Sequence, residues 1–435
     1  MSPESPDTRP EPVEGGEDGL RHVQAAAADA EPADGPERGR RAASHPPAKA
    51  KPRSFPWSDL ATTLAAFVLA FFVGALLMIF SDSAVRQTFT YFFAQPGDAL
   101  AASVEKVGSA YSALLQGALG GYGPITETMA QSAPLICAGL GVGIAFRAGL
   151  FNIGAQGQAI LGAILAAYVG FAWHLPPVIH LVVALLGGLI GGGIWGGIVG
   201  WLKARTGAHE VIVTIMMNYI AAGLLAYLLT TTVFKRPGRT DPISPIVDWN
   251  ATFPRLEGGQ LHLGFLLALL AALGVWWLLD RSTTGFAIRA VGANPHAAAT
   301  AGMSVARTTV ITMVLAGALA GLAGVQAALG PTASGVPVPL SAGIVGSIGF
   351  DAITVALLGR SKPLGIVLAG LLFGGLHAGG LAMQSIAQTP LTLTTVLQAL
   401  IVLFVAAPGL VHRILPFVKV RRARGVGPVP EGGLA

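Results

Sequence analysis

Apolar residues fill most of this chain in long blocks, broken at regular intervals by Pro, Gly and charged residues. A helix needs about 20 apolar residues to cross a bilayer, and the blocks supply a series of that length. The first runs from about Trp57 to Phe80, the second from Ala130 to Phe146 and the third from Gln156 to Trp173. A fourth covers Val178 to Leu202, a fifth Val211 to Val233 and a sixth Leu263 to Leu279. The last four are Thr308 to Leu329, Ala342 to Leu358, Leu364 to Met383 and Leu391 to Ala407. The pattern predicts an all-α polytopic integral membrane protein with about ten transmembrane helices, since only self-satisfied backbone crosses hydrocarbon in such blocks. Between the first two blocks lies a mixed stretch with Asp98, Glu105, Lys106 and Tyr111, too polar for a plain span. It is expected on the far side, with a helix along the membrane surface as one arrangement. In the fourth block Gly188, Gly192, Gly196 and Gly200 recur every fourth residue, a small-residue ridge for tight packing on another helix.

Charge orients the blocks. Arg147, Lys203, Arg205, Arg281, Arg289, Arg307, Arg360 and Lys362 stand at alternate block ends, which the positive-inside rule assigns to the cytoplasm. Residues 1–56 are rich in Pro, Ala and acidic groups, then Arg38, Arg40, Arg41, Lys49, Lys51 and Arg53. They read as a disordered cytoplasmic tail without a signal peptide. Residues 57–412 form the membrane domain, 281–307 a cytoplasmic loop within it, and 413–435 a basic cytoplasmic tail. Both termini inside require an even number of spans. The loop from Lys235 to His262, broken by Pro237, Pro242, Pro245 and Pro254, falls outside even though it carries Lys235, Arg236, Arg239 and Arg255.

Composition agrees: 53% hydrophobic and 11% charged residues, with mean hydropathy +0.64, against about 25% charged in a soluble domain. The 58 glycines suit close helix packing in lipid. The single cysteine, Cys137, excludes an intrachain disulfide and reads as a small core residue. The net charge of +5 reflects helix-end Lys and Arg and is no sign of nucleic-acid binding.

Polar residues inside the blocks are the candidate chemistry. The stretch Arg147 to Gly162, RAGLFNIGAQGQAILG, places Asn152, Gln156 and Gln158 among glycines. An unpartnered amide in hydrocarbon costs roughly 2–7 kcal/mol, so the stretch is either a protein-lined polar path or a polar turn between two spans. Asn218, Asp351, His377 and Gln384 pose the same choice. Asp351 is a path carboxylate or a helix-start residue beside Gly346 and Gly349; Asn218 is a path amide or a packing hydrogen bond. Within the loop, Asn294 is placed to cap a short helix, Pro295 to open it and Gly302 to end it after Ala297 and Ala298. That helix suits either a groove on a partner or a plain connection. No G-x-x-x-x-G-K-[ST] loop is present; Leu256 to Gln260 only imitates an ATPase signature, and Val213 spoils a zinc reading of His209-Glu210. Neither a metal nor a cofactor is expected.

The segment His296-Ala297-Ala298, then Gly302, resembles the Glu-Ala-Ala-x-x-x-Gly coupling loop of ABC importer permeases, with His296 where Glu is usual. GLFNIGAQGQ, Gly149 to Gln158, is similar to the GLFNIGAEGQ signature of permeases for bacterial nucleoside (guanosine) uptake, a branch of the branched-chain amino acid and simple sugar permease family. Gln156 replaces the usual Glu. HEVIVTIMMNYIA, His209 to Ala221, and GFDAITVALLGRSKPLG, Gly349 to Gly365, resemble the same family, and the likeness covers about Ala130 to Ala407. It implies a plasma (inner) membrane permease subunit that is not an enzyme, with a cytoplasmic ATPase, a second homologous permease and an extracytoplasmic binding protein, lipid-anchored or not, as partners. Asn294, His296, Ala297, Ala298 and Gly302 would then meet the ATPase. Asn152, Gln156, Gln158 and Asn218 would pair with a nucleoside, Phe151 would stack on its base, and Asp351 would line the path. A simple sugar or branched-chain amino acid is the alternative substrate, and an ion-coupled secondary transporter the remaining mechanism.

Overall fold

The structure is a computed structural model, and it describes residues 57–256, 259–332 and 334–415. The N-terminal tail and most of the C-terminal tail lie outside the described residues. Among the described residues every extended element is an α-helix, with isolated β-bridges at Arg255–His262 and Pro331–Pro337. In chain order the helices are α1 (Trp57–Ser81), α2 (Ser83–Phe89), α3 (Pro96–Leu119), α4 (Tyr122–Arg147) and α5 (Ala155–Ala172). They continue with α6 (Ile179–Thr206), α7 (Glu210–Leu228), α8 (Leu263–Arg281), α9 (Thr283–Ala293) and α10 (Pro295–Thr300). The last are α11 (Val305–Leu329), α12 (Ile348–Leu358), α13 (Pro363–Ala387), α14 (Leu391–Ala406) and α15 (Pro408–Ile414).

Eight of these, α1, α4, α5, α6, α7, α8, α11 and α13, are long and apolar enough to cross a membrane. The eighth and tenth predicted blocks form shorter helices, α12 and α14. In the eighth block Gly343 to Ser347 fold into turns, with Gly346 at φ +52°, so helix begins only at Ile348. A helix of that length reaches about 16 Å, half of a hydrocarbon core of about 30 Å.

The mixed stretch after α1 holds a 24-residue helix, α3, which is not among the eight spanning candidates and packs along the C-terminal half of α13. Two of its polar groups, Lys106 and Tyr111, are satisfied by neighbouring elements, while Asp98 and Glu105 are exposed. The Tyr111 hydroxyl donates to the Phe71 carbonyl, while Lys106 Nζ pairs with Asp82 at 2.7 Å and donates to the Ala387 carbonyl at 2.9 Å. Glycines on both helices let the backbones of α3 and α13 meet: a Cβ on Gly379 would overlap the Leu114 carbonyl, and one on Gly117 the Ala382 side chain.

The glycine ridge of α6 packs on α11, as the spacing predicts. A Cβ on Gly192 would overlap the Gly317 carbonyl, one on Gly196 the Met313 carbonyl and one on Gly188 the Val325 side chain. Helices α4, α5 and α11 are the most enclosed of the long helices, whereas α1, α7 and α8 turn most of their apolar surface outward. That is the distribution of a bundle whose outer face meets lipid. A second apolar cluster joins α1, α3, α13 and α14 through Met78, Leu114, Met383 and Ile401. Arg147, Lys203, Glu210 and the α9–α10 pair share one end of the bundle, where Gly292 rests on Arg147 and Lys203 pairs with Glu210.

Candidate functional site

The site is built where α4 turns into α5. Arg147 closes α4, Gly149 takes φ +72°, and Phe151 to Ile153 run without helix before α5 opens at Ala155. Asn152 is buried and faces Gln158: Asn152 Nδ2 donates to Gln158 Oε1 at 3.1 Å, and Asn152 Oδ1 accepts from the Gly154 amide at 2.9 Å. Asn218 on α7 completes the corner. Its Oδ1 accepts from the Gly157 amide at 2.8 Å and its Nδ2 donates to the Ile153 carbonyl at 2.9 Å. These three amides therefore bond to the turn itself, and Asn152 and Gln158 are fully enclosed.

Gln156 points elsewhere, across to the start of the half-length helix α12. Its Nε2 donates to the Gly346 carbonyl at 2.7 Å and its Oε1 accepts from the Gly349 amide at 2.8 Å. Gly349 has no room for a side chain, since its Cβ would fall 2.6 Å from the Gln156 Cβ. One turn further on, Asp351 Oδ2 accepts from the Ser347 hydroxyl at 2.7 Å. Phe151 does not reach this region. It stacks on Phe146 at 5.2 Å, is 42% exposed, and its amide faces Glu210, so it belongs to the charged end of the bundle.

Asp351 lies between two cavities. One of about 260 Å³ is lined by Gln131 of α4, the turn Gly343 to Ile348, Asp351, Phe373, His377 and Gln398. The other, about 470 Å³, is lined by Phe350, Asp351 and Thr354 of α12, Phe373, and the α14 face bearing Thr395 and Gln398. Gln131, which lines the first cavity, donates from Nε2 to Glu127 Oε1 at 2.7 Å. An amide at two corners, a carboxylate, an imidazole and a buried aromatic ring can hydrogen-bond a polar solute and cover an apolar face of it. The sequence pattern singled out Asp351 and His377; Gln384 lines neither cavity. Gln131 and Gln398 carry no motif in the sequence, and only the assembled helices bring them to one cavity.

At the charged end, Asn294 Oδ1 caps α10 by accepting from the amides of His296 at 3.0 Å and Ala297 at 3.1 Å, and Gly302 at φ +83° ends the unit. His296, Ala297 and Gly302 are exposed and Ala298 is buried. Gly292, in the last turn of α9, sits on the backbone of Arg147 and Ala148, with Gly149 facing it. The exposed helix pair thus touches the first residues of the turn that carries Gln156. Among the described residues no group of His, Cys, Asp and Glu could hold a metal ion.

Residues 125–406 match the family model of the branched-chain amino acid transport system permease component. The chain belongs to this permease family. The permease is 39% identical over 368 residues to the guanosine ABC transporter permease protein NupP of Bacillus subtilis, covering 84% of this chain and 98% of that protein. It is 34% identical to the nucleoside ABC transporter permease protein NupB of Lactococcus lactis, over 72% of this chain and 87% of that protein. It is 32% identical to the glucose ABC transporter permease protein TsgB13 of Haloferax volcanii, over 64% and 75%. No solved structure matches the chain. With eight apolar helices of spanning length, the permease is a multi-pass membrane protein.

Proposed function

We propose that this permease is a plasma-membrane subunit of an ATP-driven importer of nucleosides. The observation that carries the reading is the guanosine permease relative, alike over nearly its whole length. The polar lining around Asp351 supports it chemically. A nucleoside offers hydroxyls and amide-like base edges to Gln131, Asp351, His377 and Gln398, and an aromatic face to Phe373. Gln156 borders this path and holds its half-helix; Asn152, Gln158 and Asn218 shape the corner that presents Gln156. Phe151 serves the cytoplasmic end and not the base-binding path.

The driving energy comes from a separate ATPase, consistent with the lack of any phosphate-binding loop in this sequence. The ATPase meets Asn294, His296, Ala297 and Gly302 at the exposed α9–α10 pair, and the buried Ala298 seats α10 beneath them. A second homologous permease completes the path, and an extracytoplasmic binding protein delivers the substrate at the opposite end. The glucose permease relative favours one other reading, a simple sugar as cargo.

The test is ATP-dependent uptake of labelled guanosine, glucose and leucine by vesicles holding the permease with its partner subunits. Guanosine uptake that vanishes with an inactive ATPase supports the reading. Glucose or leucine uptake in its place reassigns the cargo, and gradient-driven transport by this chain alone ends the ATP-driven reading. Asp351→Asn, which keeps the shape and removes the charge, is expected to cut guanosine uptake by roughly tenfold or more, on the scale of one lost charge-assisted hydrogen bond.

A further inference from the structure

We propose that the segment Arg147–Gln156 is a two-point carrier that moves the half-helix α12 as one body with the exposed helix pair α9–α10, and that Gln156 is its positioning residue. The inference rests on reading the chain as a permease worked by a separate ATPase.

Both ends of α12 are fastened to this one segment. At the N-terminal end Gln156 bonds the Gly346 carbonyl and the Gly349 amide, bracketing the residues where the helix starts. At the C-terminal end Arg147 Nε donates to the Ser361 carbonyl at 3.0 Å. That bond holds a turn in which Arg360 and Ser361 both adopt φ near +50°, a conformation that side-chain-bearing residues rarely take. Turns flank α12 on both sides, so it is free of helical continuity with its neighbours.

The carrier itself is stiff. The Leu150 amide bonds back to the Ala145 carbonyl at 3.0 Å, Asn152 fastens Gly154, and Asn218 fastens Ile153 and Gly157. Its Arg147 end is the seat of Gly292, where the absence of a side chain permits backbone contact with Arg147 and Ala148. A tilt of α9–α10 is therefore delivered at Gly292, carried through Arg147–Gln156, and received at both ends of the helix that bears Phe350, Asp351 and Thr354. The Gln156 amide donates to one carbonyl and accepts from one amide at once; the Glu usual in the signature makes both bonds when protonated and only the Gly349 bond when ionised.

The experiment compares guanosine uptake with binding-protein-stimulated ATP hydrolysis in the same vesicles of the complete importer. Gln156→Leu removes both bonds; Gln156→Glu keeps the volume and the Gly349 bond but, when ionised, loses the donor to Gly346. Gly292→Ala wedges the remote seat. The expected result is retained hydrolysis with guanosine moved per ATP down roughly tenfold in Gln156→Leu, as two lost hydrogen bonds predict, and less in Gln156→Glu. Gly292→Ala is expected to lower the same ratio although it touches neither cavity. An unchanged ratio in Gln156→Glu and Gly292→Ala overturns the proposal. So does joint loss of uptake and hydrolysis in assembled complexes, which marks a role in substrate contact or assembly. Because Gln156→Glu is isosteric, it decides the matter if Gln156→Leu fails to assemble. A wild-type importer that hydrolyses ATP but moves only glucose refutes the nucleoside reading alone, and the ratio is then read with labelled glucose.

Discussion

Adjacent glycines on α6 are expected to respond in opposite directions when each is given a methyl group. At Gly192 the new Cβ would overlap the Gly317 carbonyl and lie 2.6 Å from the Gly321 Cα, whereas ordinary contact starts at 3.4 Å. Backbone cannot rotate out of the way as a side chain can. Gly192→Ala must therefore separate α6 from α11 by at least about 0.8 Å, and that gap also strips contacts from Gly188 and Gly196 on the same ridge. Overpacking of this kind costs about 1–3 kcal/mol. At Gly193 the nearest atoms to a Cβ are 3.6 and 3.7 Å away, on Val314 and Ala318. Here the methyl fits, and the helix gains up to about 1 kcal/mol from the better helix former. The assay is the thermal unfolding midpoint of the detergent-solubilised permease, with Gly193→Ala above wild type and Gly192→Ala below it by a few degrees. Midpoints that coincide, or a Gly192→Ala protein more stable than Gly193→Ala, would refute the claim that this ridge sets the α6–α11 distance.

Two further outcomes follow from the loop end and from α3. Burial, and then the nearby Arg255, push the pKa of His262 down to about 4, and its Nδ1 accepts from the Gly264 amide at 3.1 Å. The folded state thus favours the neutral ring, so stability is full above the ordinary histidine value of about 6.5 and is lost as the pH falls toward the folded value. Midpoints measured between neutral pH and about 4.5 are expected to fall in wild type and to fall less in His262→Asn, which retains a cap; equal slopes would contradict the account. Lys106→Met removes the partner of Asp82 and the donor to the Ala387 carbonyl. Because both charged side chains are about one-fifth exposed or less, the cost is discounted to about 1–2 kcal/mol, read as a lower unfolding midpoint and as faster proteolysis between α2 and α3.

Block length and composition carried most of the fold, and they failed where a tertiary partner changes what a polar residue costs. Asp98, Glu105 and Lys106 mark α3 as no plain span, but its docking along α13 depends on the pairing of Lys106 with Asp82 and Ala387, which cannot be read from spacing. The block from Ala342 to Leu358 is mostly apolar, so its hydropathy alone does not place the break before Ile348, although Gly346, Gly349 and Asp351 suit a helix start there. That break depends on Gln156, far away in the chain, replacing the hydrogen bonds a continuous helix would have made. The same limit applies to the amides. Their presence in GLFNIGAQGQ announced a special corner, but whether each faced a path or another amide depended on the extended backbone of Phe151 to Ile153, which lets Asn152 fold back on Gln158.

The division of labour among those amides explains why the corner can act as one body. An amide left without a partner in an apolar interior costs roughly 2–7 kcal/mol, so Asn152, Gln158 and Asn218 hold the turn in an arrangement that cannot be loosened one bond at a time. Breaking Asn218 from Gly157 exposes two groups, and parting Asn152 from Gln158 exposes more. Gln156 differs because its bonds cross from this rigid corner to another helix, and both run to turn residues beside the cavity. Any movement of the corner is therefore passed to α12 at Gln156 and at Arg147–Ser361, the two places where a substitution releases α12 without dismantling the fold that presents them.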